Sequence, residues 1–189
     1  MKELLEKVLD KLKGATKVVF MGIGEEKLTD DAVGPYIISE LLEYASEKFL
    51  FINAGIDPMA RIDDIIKFQA SHLVLFDTCT LSGPPGTVSI LERDNICDYV
   101  PISTHTIPVH IVIDLLIGKL PDLKVFMIGF IPESLEGFKE LTLFKKRTLS
   151  LENIDENIEL PFFNIQLTET IHQAADNVII IIKEVMKLL

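Results

Sequence analysis

Apolar and polar positions alternate along this chain in two distinct rhythms. Short apolar runs of four or five residues occur at Lys17–Met21, Phe49–Ile52, Leu73–Phe76, Thr87–Leu91 and Lys124–Ile128. Runs of that length, closed by Gly, Pro, Asn or Asp, predict strands, most of them buried on both faces. Between them the apolar residues recur at three- and four-residue intervals. That spacing predicts helices from Ala32 through Leu42, over Ile56–Phe68 and over Ile107–Leu116, and a long closing helix over Thr168–Leu189. Pro35 fits the first helical turn, where a missing N–H costs nothing. Met1 to Lys13 alternates charge with leucine, as an amphipathic surface helix does.

Strands alternating with helices predict an α/β fold, with a mostly parallel sheet covered on both faces. Residues 1–189 read as a single domain. Lys139–Asn164 breaks the alternation with charged and polar residues and scattered leucines, and reads as an inserted segment, a lid or an oligomer contact. In parallel sheets ligands bind beyond the carboxyl ends of the strands. That rule puts Asp77, expected just after the Leu73–Phe76 strand, on the same rim as the Asp30–Asp31 loop that follows Lys17–Met21.

Composition narrows the functional classes. Hydrophobic residues make up 48% of the 189 residues, enough for a sizeable core at this length. The net charge of −11 argues against a nucleic-acid phosphate track, and Lys145-Lys146-Arg147 is too short a basic cluster to reverse that. Val178–Ile182 is too short to span a bilayer, so no membrane insertion is expected. Cys79 and Cys97 cannot build a disulfide framework and read as two reduced thiols. With no signal-peptide pattern, the expected location is cytoplasmic.

The candidate chemistry lies in a few polar residues. Gly22-Ile23-Gly24 after a strand fails the dinucleotide fingerprint, because the third glycine position is Lys27; the glycines read as a turn. Asp30-Asp31 precedes a helix, where aspartate favours the cap. One of the pair can cap while the other faces a cleft. Of the four histidines, His105 lies in a polar loop and is the candidate ligand or acid–base group. His110 reads as half-buried and structural, and His72 and His172 as surface residues. Two carboxylates and an imidazole suit nickel, zinc or iron(II), and three protein ligands leave positions open for water or substrate. Asp31 and Asp77 would equally serve as an aspartic dyad sharing a proton. No Ser/His/Asp arrangement stands out.

In order, Gly22-Ile23-Gly24, Thr29–Pro35, Leu75-Phe76-Asp77, Pro85-Gly86-Thr87, Ser103-Thr104-His105 and Gly129–Ser134 resemble the hydrogenase maturation proteases, over about residues 17–138 and again at Leu167-Thr168. The Asp-Asp form is most similar to the branch serving formate-hydrogenlyase-type and energy-converting hydrogenases. The resemblance implies a three-layer α/β/α fold and an endopeptidase of aspartic or metal-assisted type. Its partner would be the [NiFe]-hydrogenase large-subunit precursor, from which it removes a C-terminal extension after nickel insertion. It further implies that Asp31, Asp77 and His105 are both the metal-binding and the catalytic residues. The nickel arrives in the precursor, and the resemblance leaves room for another divalent ion in the resting enzyme. The Pro-Gly-Thr and Ile-Pro-Glu-Ser stretches would shape the cleft. Asn53-Ala54-Gly55 departs from the family's frequent Asp-Gly-Gly, and only Gly55 carries over. A nickel-binding chaperone or sensor without peptidase activity is the alternative reading, and oligomeric state is not legible.

Overall fold

The computed structural model describes residues 2–99, 107–136 and 167–189. His105 and the 139–164 segment lie outside the described residues. Five strands form one sheet: β1 (Val18–Ile23), β2 (Phe49–Gly55), β3 (His72–Thr78), β4 (Val88–Glu92) and β5 (Lys124–Phe130). Their order is β2-β1-β3-β5-β4, and all neighbours are parallel except the antiparallel β4–β5 pair.

Alternation along the strands divides the core into two layers. Val18, Phe20, Phe51, Val74, Phe76, Phe126 and Ile128 face one side, with α1 (Lys2–Lys11), α2 (Val33–Leu41) and α6 (Glu169–Leu188). Val19, Met21, Leu73, Leu75 and Met127 face the other, with α3 (Ile62–Phe68), α4 (Arg93–Tyr99) and α5 (Val109–Lys119). The result is the expected three-layer α/β/α arrangement. On the first face the rings of Phe51, Phe20 and Phe76 stack across three neighbouring strands, with centroids 5.2 and 6.2 Å apart. Each buried ring contributes about 1.5–3 kcal/mol.

Several boundaries differ from expectation for local reasons. Strand β1 runs on to Ile23, because Gly22 pairs with Asn53 and Phe76 instead of turning. Strand β3 includes Asp77 and Thr78, which pair with Gly129 and Phe130. The second predicted helix opens as a 3-10 turn at Pro58–Arg61, where the Asp57 carboxylate accepts the Ala60 N–H, and becomes α-helical only at Ile62. Helix α4 escapes the periodicity argument because it is short and Ile96 is its core contact.

His72, expected at the surface, is buried at the start of the central strand β3. Its Nδ1 lies 3.0 Å from the Ser71 hydroxyl, and its Nε2 has no partner among the described residues. Burial, with Lys124 beside it, holds its pKa below the usual imidazole value. His110 is half-buried and His172 partly exposed, as expected. His172 joins Tyr36 and Asp176 in a polar tie between α2 and α6; the Tyr36 hydroxyl donates to Asp176 at 2.9 Å. Burial first, then Asp176, pushes that phenol up to about 12. Among the described residues no helix is long and apolar enough to cross a membrane.

Candidate active site

Three glycines let the loop between β1 and α2 lie flat on the sheet's carboxyl edge. A Cβ on Gly34, in the first turn of α2, would fall 2.4 Å from the Ile23 carbonyl oxygen and 2.5 Å from that of Phe76. A Cβ on Gly22 would strike the Gly34 carbonyl at 2.2 Å. Gly24 has φ +137°, and its missing Cβ makes room for the Asp31 carbonyl oxygen. The failed dinucleotide motif is therefore a packing device that presses the start of α2 onto β1 and β3.

The adjacent aspartates it carries have different surroundings, although both are buried. Neither makes a side-chain cap to its own helix. Asp30 accepts backbone N–H groups from Glu133 and Ser134 through Oδ2, and from Thr168 through Oδ1, each at 2.8 Å. Its own N–H donates to the Ser134 carbonyl at 3.2 Å. One carboxylate thus joins the β1–α2 loop, the loop after β5 and the residue that caps α6. Thr168 caps that helix by accepting the Ile171 N–H.

Asp31 instead faces β3. Its Oδ2 accepts the Glu25 N–H at 2.7 Å, and its Oδ1 accepts the Thr78 hydroxyl at 3.2 Å. The Thr78 N–H donates to Asp77 Oδ1 at 2.7 Å. Asp31 and Asp77, distant in sequence, therefore share Thr78 as a partner at one sheet edge. His105, the expected third group, is outside the described residues. Among those residues, no cluster of three His, Cys, Asp or Glu side chains is gathered closely enough to hold a metal ion.

The two remaining motif stretches reach the same edge. Gly86 N–H donates to the Ile131 carbonyl at 2.9 Å, and Ile131 N–H donates to Thr87 at 3.0 Å. Gly86, at φ +81°, leaves room for Thr170 at the start of α6. Cys79 is a buried free thiol whose pKa is pushed up, chiefly by burial, which leaves it unsuited to nucleophilic attack. Sequence reasoning missed Thr78 and the bracing role of Asp30. A polar residue directly after Asp77, at the end of an apolar strand, was the available signal for the first. For the second there was none, since the donors come from residues 133, 134 and 168.

Comparison with known proteins bears on the family and the fold. A family model described as hydrogenase maturation protease (HycI) matches residues 35–146, more than half of the chain. A Methanocaldococcus jannaschii protein assigned to the hydrogenase maturation proteases is 35% identical over 144 residues, covering 72% of this chain and 82% of its own. The hydrogenase 3 maturation protease of Escherichia coli K12 is 23% identical over 124 residues, covering 66% of this chain and 78% of its own. The crystal structure of a [NiFe] hydrogenase maturation protease from Thermococcus kodakarensis superposes with a TM-score of 0.74, covering 96% of this chain and 99% of that one. At 22% identity, that likeness speaks for the fold.

Proposed function

Because the chain belongs to the hydrogenase maturation protease family, we propose that it is the endopeptidase that removes the C-terminal extension of a [NiFe]-hydrogenase large-subunit precursor once nickel is in place. Its partner is that precursor, and its work is cytoplasmic. The observation that carries the reading is the shared partner: Asp31 and Asp77 meet Thr78 at the sheet edge where α/β sites lie.

Asp31, Asp77 and His105 are the proposed catalytic and metal-contacting residues. The nickel is cargo of the substrate, and an oxygen- and nitrogen-donating set fits its chemistry. Contact with the cargo orients the adjacent backbone, so the scissile bond is held where the carboxylates act. A carboxylate at this edge takes a proton from the attacking water, and the leaving amine receives one in return. Donors that fix each acid in place reduce the reorganisation this requires.

The test is trimming of a nickel-loaded precursor by Asp31→Asn, Asp77→Asn and His105→Gln. Each variant should leave the precursor at full length while keeping the parent's circular dichroism. Trimming at the parent's rate by all three would refute the site. Nickel binding without trimming by the parent would favour a chaperone instead.

A further inference from the structure

The geometry points to Thr78 as a positioning residue of the cleavage centre, whose hydroxyl and amide each hold one of the two acids. The inference rests on the reading of Asp31 and Asp77 given above. Along β3, neighbouring side chains take opposite faces. Phe76 packs on the α2 side and Cys79 on the α5 side. Thr78 therefore shares the side of Phe76, where α2 and Asp31 lie, while Asp77 starts from the other side. Left to strand alternation, the acids would diverge. Thr78 joins them: its hydroxyl donates to Asp31 Oδ1 on one side, and Asp77 leans back to accept its N–H.

The placement is firm. Thr78 is 1% exposed and pairs with Phe130 of β5. The Gly34 contact with the Phe76 carbonyl anchors the same stretch of β3 against α2. The Glu25 amide holds the second Asp31 oxygen, so donors from separate elements help orient the carboxylate. Partners that fix the orientation of a metal-contacting carboxylate matter nearly as much as the carboxylate itself. Only the hydroxyl depends on the side chain at 78; the amide donor to Asp77 survives any substitution except proline.

Thr78→Val removes the hydroxyl at nearly constant volume, and Thr78→Ser keeps it. Steady-state cleavage of the nickel-loaded precursor is compared for the parent, both variants and Asp31→Asn. We expect Val to lower kcat/KM by about 10- to 100-fold, mostly through a raised KM, and Ser to stay near the parent. Loss of folded protein alone would lower the apparent kcat and leave KM unchanged. Thr78→Ala supplies the same comparison if the Val variant does not fold. A parent-like KM in the hydroxyl-free variant, or a Ser variant as impaired as Val, would overturn the assignment of Thr78. Normal cleavage by Asp31→Asn would instead remove the reading of the site, and the role of Thr78 with it.

Discussion

At Asp30 three backbone N–H groups, from residues 133, 134 and 168, converge on one buried carboxylate. Its neighbour Asp31 receives the Thr78 hydroxyl and the Glu25 amide at the sheet edge. The difference predicts different consequences for the same substitution. Asparagine at 30 keeps one carbonyl oxygen but presents an amide NH2, which cannot accept, to the remaining backbone donors. A buried donor left without an acceptor costs about 1–3 kcal/mol. Asp30→Asn should therefore melt earlier, by roughly 2–4 °C per kcal/mol in a chain of this size. A thermal melt checks it, and an unchanged Tm would contradict the bracing role. That aspartates precede a helix was legible in the sequence; which of them braces the fold was not, since the partners arrive from the far end of the chain.

Elements meet at this edge through glycine. Substituting alanine in a helix normally gains about 0.5–1 kcal/mol over glycine. At Gly34 the sign should reverse. The added methyl would fall on two strand carbonyl groups, and overpacking of this kind costs about 1–3 kcal/mol. Gly34→Ala should lower Tm and also slow trimming, because α2 would lift away from the strand that carries Thr78. Parent-like values of both would show that the close approach is dispensable. Here the periodic segments were readable: apolar runs predicted the five strands among the described residues, and three-to-four spacing predicted α2, α5 and α6. The short α4 was not readable, with Ile96 its buried apolar contact. Gly22-Ile23-Gly24 read as a turn because a sequence cannot show that a helix lies against it.

At the scale of the whole molecule, one contribution to the acid response lies far from the site. His72 lies at the opposite end of β3 from Asp77, and burial lowers its pKa. The unfolded chain takes up its proton near pH 6.5, while the folded chain resists it. Below that pH the unfolded state binds more protons, so stability falls as pH falls. His72→Gln removes this contribution, and the Tm advantage of the parent over the variant should shrink between pH 7.5 and 5.5. An advantage that is constant or grows on acidification would contradict the assignment. The fold class, and a shared rim for Asp77 and the Asp30–Asp31 loop, followed from the strand–loop pattern; the choice of Asp31 came from the family resemblance. The bridge between Asp31 and Asp77 required the register of β3.

Cleavage requires Asp31 itself, and not merely the fold it belongs to. The direct measurement is kcat/KM on a nickel-loaded precursor for Asp31→Asn, with Tm recorded on the same preparation. The expected result is no detectable trimmed product from a protein that still unfolds cooperatively near the parent's temperature. Cleavage at the parent's rate by that variant would contradict it.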